Sequence, residues 1–225
     1  MQRTQVSTTT LQFLTDLSEN NNREWFAENK KRFEAAKANM KVFGERLLEE
    51  MQQHDKIEKI KLYRIYRDVR FSKDKTPYKN SLSGSFTRAS KWLRGGYYFH
   101  VEPNNSFIGG GFWGPNSADL KRLRQEFVAD PESLRAIIHS KDFQKAFGTL
   151  EGNQLKTAPR GYAKDHPSVD LLRYKQFLVS QTFTDKEVLS PDFALQLSEG
   201  FKAMRPFFDY MSEVLTTDEN GVPIF

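Results

Sequence analysis

The chain has 225 residues, 19 of them Phe, and a formal charge of +5 from 34 basic and 29 acidic side chains. That length suits a single domain with a substantial core, and the aromatic content excludes a disordered chain. There is no Cys, which excludes disulfides, thiol catalysis and thiolate metal sites.

The first ten residues, "MQRTQVSTTT", are polar and do not read as a signal peptide. No later run reaches the length of a membrane span, so the expectation is a cytoplasmic protein without a membrane partner. "TTTLQFLTDLS" spaces Leu11, Leu14 and Leu17 for a short helix behind a threonine cap. Asn21 and Glu24 have the spacing of a capping box. A long helix is expected after them, because Phe26, Phe33, Met40 and Leu47 recur every seven residues. Ala36, Phe43 and Met51 fill the same face, and nothing breaks the pattern before His54.

The period then falls to two. "KLYRIYRDVRF" (61–71), "SLSGSFTR", "GYYFHVEP" and "SFIGGGFW" read as strands. The last two form a hairpin across "PNN". Gly109 to Gly111 remove side chains from a strand, which points to a bulge or to a ligand approaching the backbone. Helices are expected from Ser117, after Asp130-Pro131, and over "SKDFQKAF". A polar segment follows, "GNQLKTAPRGYAKDHP", and then a short helix at "HPSVDLLRYKQF" and a strand at "FLVSQTFTD". The final helix starts at Ser190-Pro191 and should kink or split at Pro206. The fold class is therefore α+β, a mostly antiparallel central sheet flanked by a long N-terminal helix and a kinked C-terminal helix. One domain is expected over 1–225, helical in 8–54, sheet-rich in 60–114 and mixed helical in 117–225.

The charge is unevenly spread. Between Lys61 and Arg94 lie ten basic residues against only Asp68 and Asp74, whereas the rest of the chain has slightly more acids than bases. A uniformly solubilising surface would not look like that. The densest part is "RIYRDVRFSKDKTPYKN". If it were a strand, Arg64, Tyr66, Asp68 and Arg70 would point one way and Arg67 and Phe71 the other. Arg64, Arg67, Arg70, Lys75, Tyr78 and Lys79 then form a cradle for phosphate or carboxylate, with Asp68 holding one arginine. The competing reading is an internal salt-bridge network centred on Asp68 and Asp74.

This run resembles the signature of a bacterial family catalogued as domain of unknown function 2461. The pattern is Arg-x-x-Arg-Asp-x-Arg-Phe followed by Asp/Asn-Lys-x-x-Tyr, here Arg64, Arg67, Asp68, Arg70, Phe71, Asp74, Lys75 and Tyr78. "NNNREWFAENKKRFE", "GGYYFHVEP" and "GGGFWGP" are similar to other family segments, so the resemblance covers essentially the whole chain. It implies no particular reaction.

Three further groups bear on function. His100 and Glu102 share a strand face with Tyr98, as an acid–base pair would, or as two metal ligands whose third could be Asp68, Asp74 or His166. The alternative is a half-buried face with its polar groups bonded across the sheet. Arg160 stands with Tyr162, Lys164, Asp165 and His166 before a helix, where cations and a helix N-terminus suit an anion, against an ordinary cap by Asp165. "GGGFWGP" lacks the phosphate-loop patterns, and no Ser-nucleophile motif occurs. The reading is a protein that binds a small phosphate- or carboxylate-bearing molecule, with no cofactor expected. His100 and Glu102 are its candidate catalytic residues, and Arg160 joins the motif residues as a candidate ligand-binding side chain. A nucleic-acid-binding module ranks second, and a scaffold with structural arginines third.

Overall fold

A computed structural model of the chain describes residues 4–218 and 220–224. Two compact units emerge. The first takes the chain up to Thr87, Tyr98–Ile108 and Thr182–Glu199; the second takes Arg88–Tyr97, Gly109–Gln181 and the chain from Gly200. One antiparallel sheet has the order β1 (Ile57–Leu62), β2 (Leu82–Arg88), β3 (Gly96–Val101), β4 (Ser106–Phe112) and β5 (Phe177–Phe183). The α+β class and the antiparallel sheet are as the sequence implies.

In the first unit, α1 (Thr8–Glu19) is capped by Ser7, whose hydroxyl accepts from Thr10 N, rather than by a threonine. The expected long helix is two helices, α2 (Arg23–Glu28) and α3 (Lys30–Met51). Asn29 separates them, its side-chain amide donating to Trp25 O at 2.9 Å in competition with the helical backbone. The cap of α2 is Asn22, which accepts from Trp25 N. Asn21 is instead a clamp on the basic segment: its amide donates to Tyr78 O (3.0 Å) and Asn80 Oδ1 (2.8 Å), and it accepts from Tyr78 N (3.1 Å). Phenylalanines do the packing, with Phe13, Phe26 and Phe33 in one cluster and Phe43, Phe86, Phe99 and Phe193 in another. Gly44 lets α3 approach β1, since a Cβ there would stand 2.7 Å from Ile60 Cδ1.

The strand expected over 61–71 is a correction. Pairing with β2 ends where Tyr63 N donates to Ser83 O (2.9 Å). The chain then folds back on itself through Arg67 N to Pro77 O (2.9 Å) and Lys79 N to Ile65 O (2.8 Å), with a bridge between Tyr66 and Tyr78. Asp68 and Asp74 take up the N–H groups of Arg70 and Thr76, and Pro77 has none to give, so a sheet ladder cannot continue. The β3–β4 hairpin forms as expected. Pro103 precedes Asn104 at φ 59, and Asn105 N closes the turn on Glu102 O at 3.0 Å.

The second unit holds α4 (Ser117–Ala129), α5 (Pro131–Ile138), α6 (Lys141–Phe147) and α7 (Val169–Leu172). The first unit supplies α8 (Asp185–Val188), closed by a Thr184–Glu187 capping box. The last helical stretch is split, α9 (Phe193–Ala203) and α10 (Arg205–Thr216), with Pro206 in the first turn of α10 as its ring requires. In the second unit, Tyr97, Phe112, Phe207 and Phe208 pack at centroid distances of 4.9 to 5.9 Å. The glycine run belongs to this packing. A Cβ on Gly110 would sit 2.5 Å from Met204 Sδ, and Gly111, at φ +131, lies against the Phe177 carbonyl of β5. Among the described residues, no helix is long and apolar enough to cross a membrane.

Candidate functional site

The basic segment neutralises much of itself. Arg70 grips Asp68 with two bonds, Nε to Oδ1 at 3.0 Å and Nη2 to Oδ2 at 2.7 Å. Arg67 pairs with Asp74 and also donates to the Thr76 hydroxyl. The Arg67 guanidinium, with two bonds from Thr76, holds the Asp74 carboxyl well below its ordinary 3.8, at about 2. Lys75 Nζ caps the Val69 carbonyl at 2.9 Å. Tyr78 is buried, its ring stacked on Phe26 at 3.9 Å, and burial raises its pKa. These candidates therefore shape the loop. Phe71 at its tip is 95% exposed, with the Arg70 guanidinium 5.9 Å from its ring centroid.

Among the described residues, Arg64 and Lys73 carry no ion pair. Arg64 lines a cleft of about 520 Å³ within the first unit, a size that suits a small ligand. Its walls include Phe33, Met40, Leu62, Ile65 and Leu82. Lys37, Lys41 and Glu34 of α3 also line it, so three cations face one acid. Lys37 and Lys41 meet Glu34 and Glu45 only at 3.8 Å in exposed pairs, which bind weakly. Sequence reasoning missed these lysines because a charged helix face ordinarily means solvation. The available signal was their spacing from Glu34, three and seven residues on, which puts all three on one face.

Tyr63 also lines the cleft, and Lys61 Nζ and Lys79 Nζ stand 5.4 and 5.6 Å from its ring centroid. Its hydroxyl meets Ser85 Oγ at 3.1 Å, and its ring lies 6.2 Å from Tyr98. From Tyr98, alternation along β3 aligns His100 and Glu102 as the sequence implies. Tyr98 Oη is 2.9 Å from His100 Nδ1, and His100 Nε2 is 3.0 Å from Glu102 Oε2. Phe107 stacks on the imidazole at 4.8 Å, and Asn105 Nδ2 donates to Glu102 Oε2 at 2.7 Å. Burial, opposed by a bond from Ser83, raises the Tyr98 phenol above its ordinary value. Among the described residues, no three His, Asp or Glu side chains form a group that could hold a metal.

Arg160 lies exposed in the second unit. The helix after it, α7, has only four residues and no side-chain cap bond, so Asp165 does not cap it; His166 Nδ1 accepts from Ser168 N at 3.0 Å. Arg88 and Arg94, counted with the basic region, face acids in the second unit. Arg88 Nη2 donates to Asp209 Oδ1 and Arg94 Nη2 to Asp119 Oδ2, each at 2.7 Å.

Residues 9–210 match the family described as conserved hypothetical protein, domain of unknown function 2461. No curated protein matches the chain, and no solved structure does.

Proposed function

The chain belongs to the domain of unknown function 2461 family, and we propose that it binds a small molecule in which a phosphate or carboxylate is joined to an apolar body. The observation that carries this reading is Arg64, without an ion pair among the described residues, in an apolar-walled cleft flanked by Lys37 and Lys41. The guanidinium fork matches a planar carboxylate or two phosphate oxygens. Phe33, Leu62 and Ile65 supply an apolar wall, where burial of a ligand's hydrocarbon is worth about 25 cal/mol per Å². The arginines held by Asp68 and Asp74 give the loop its shape, and the lysines on Tyr63 add positive potential. The test is thermal unfolding with phenyl phosphate, octanoate and inorganic phosphate at low salt. A ligand at ten times its Kd stabilises by about 1.4 kcal/mol. Phenyl phosphate and octanoate should raise the melting temperature more than inorganic phosphate does, and Arg64→Ala should remove the difference. No stabilisation by any of the three overturns the reading.

A second reading rests on Phe71. An aromatic ring exposed at the tip of a basic loop is suited to stacking on an unpaired base. Binding of labelled single strands that persists at physiological salt and is lost in Phe71→Ala would favour it over the cleft.

A further inference from the structure

On independent grounds, we propose that Tyr98 is a base-activated nucleophile whose proton is taken by His100, held in turn by Glu102, and that it acts on an anionic substrate with an electrophilic acyl or phosphoryl centre. Direction follows from the donors. A carboxylate only accepts, so the hydrogen between His100 and Glu102 resides on Nε2. The Nδ1 lone pair is then left to accept from the Tyr98 hydroxyl at 2.9 Å. Hydroxyl, imidazole and carboxylate thus stand in the order that activates a nucleophile through a neighbouring base.

The supports are also fixed. Phe107 stacks on the imidazole, and Asn105 donates to the Glu102 oxygen that faces His100. Ser106 pins the same residue through its backbone, accepting from Glu102 N at 3.1 Å and donating to Glu102 O at 2.9 Å. Such a shell holds a base in one orientation. His100 and Glu102 are largely covered, with 15% and 26% of their side chains exposed, while Tyr98 is half-buried beside Tyr63 and its two lysines. Those lysines supply the preference for an anionic substrate. Burial keeps the phenol neutral, so its proton leaves as the oxygen attacks. In the attack, the bond from Tyr98 Oη to the electrophile forms and the bond to the leaving group breaks. The phenolic proton passes to His100 Nδ1, and the leaving group departs with the bonding electron pair.

A probe with the same chemistry is para-(fluorosulfonyl)benzoate, an anionic aryl sulfonyl fluoride. Its reaction forms the oxygen–sulfur bond and releases fluoride, with the proton again on His100. Peptide mass spectrometry over a time course reads the rate at each tyrosine. Tyr98 should be modified faster than the exposed Tyr66, and His100→Gln should slow it by about a hundred-fold, the lower range for general-base assistance. Glu102→Gln should slow it less, and should change the His100 tautomer seen in nitrogen-15 NMR. Lys61→Ala with Lys79→Ala should reduce labelling by this probe but not by the uncharged benzenesulfonyl fluoride. Circular dichroism establishes that each variant is folded; if His100→Gln is not, Glu102→Gln carries the test. Labelling of Tyr98 no faster than Tyr66, or unchanged in folded His100→Gln or Glu102→Gln, overturns the proposal. The labelling rate at Tyr98 and the melting-temperature shifts are separate readouts, which separates this result from the fate of the cleft.

Discussion

Replacing Gly111 with Ala tests whether the glycine run serves packing or a ligand. Two penalties act at that position. The backbone holds φ at +131, a region that L residues rarely enter, and such strain costs about 1–3 kcal/mol. The new methyl group would also overlap the Phe177 carbonyl of the neighbouring strand. A backbone atom cannot rotate away as a side chain can, so β4 and β5 must separate, and overpacking of this kind costs about 1–3 kcal/mol more. The sum is a loss of about 2–6 kcal/mol. Gly110→Ala is the internal comparison. Its φ is not in the positive region, and its closest neighbour is the tail of Met204, at 2.5 Å, with Phe208 Cζ at 2.9 Å. A flexible thioether yields, so about 1–2 kcal/mol is expected. Urea unfolding followed by circular dichroism reads both, provided the slope with denaturant is unchanged. Gly111→Ala within about 0.5 kcal/mol of wild type, or milder than Gly110→Ala, would refute the packing account and return the run to a ligand-binding role.

Asp74 gives a pH signature. Its carboxyl is depressed from 3.8 to about 2, so its contribution to stability is present above 3.8 and is lost as pH falls through about 2. Melting temperatures of wild type and Asp74→Asn should differ above that window and converge below it. In the second unit, Asp209→Asn removes the carboxylate from Arg88, whose side chain is fully buried. Loss of a partner from a fully buried pair costs about 3–5 kcal/mol; because Asp209 is 48% exposed, a urea midpoint shift worth about 2 kcal/mol is expected. Phe71→Ala should leave the urea midpoint unchanged, since the ring is 95% exposed; a clear loss of stability would mean that the ring packs against the protein.

Much of the fold is legible because its signals are local. Leu11, Leu14 and Leu17 mark a helix by spacing alone, and Pro206 splits one by its ring chemistry. Tyr98, His100 and Glu102 share a face because strand side chains alternate. The basic segment misleads for an equally local reason. Its apparent alternation of Arg64, Tyr66, Asp68 and Arg70 reads as a strand, but Asp68 and Asp74 capture nearby N–H groups and turn the chain. The charge count misleads for a distant reason. Arg88 and Arg94 meet Asp209 and Asp119, and no spacing rule announces pairings across 121 and 25 residues. The cleft depends on such distance too, since Lys37 and Arg64 share it only after α3 packs on β1. Asn21 looked like a cap and is a clamp, because its neighbour Asn22 reaches Trp25 N and leaves Asn21 to bind Tyr78 and Asn80.

The most direct measurement of the central claim is a crystal structure of the protein grown with phenyl phosphate. The account predicts the phosphate on the Arg64 guanidinium and the phenyl ring against Phe33, Leu62 and Ile65. An empty cleft with the phosphate bound at Arg67 and Lys75, or no bound ligand at saturating concentration, would contradict it.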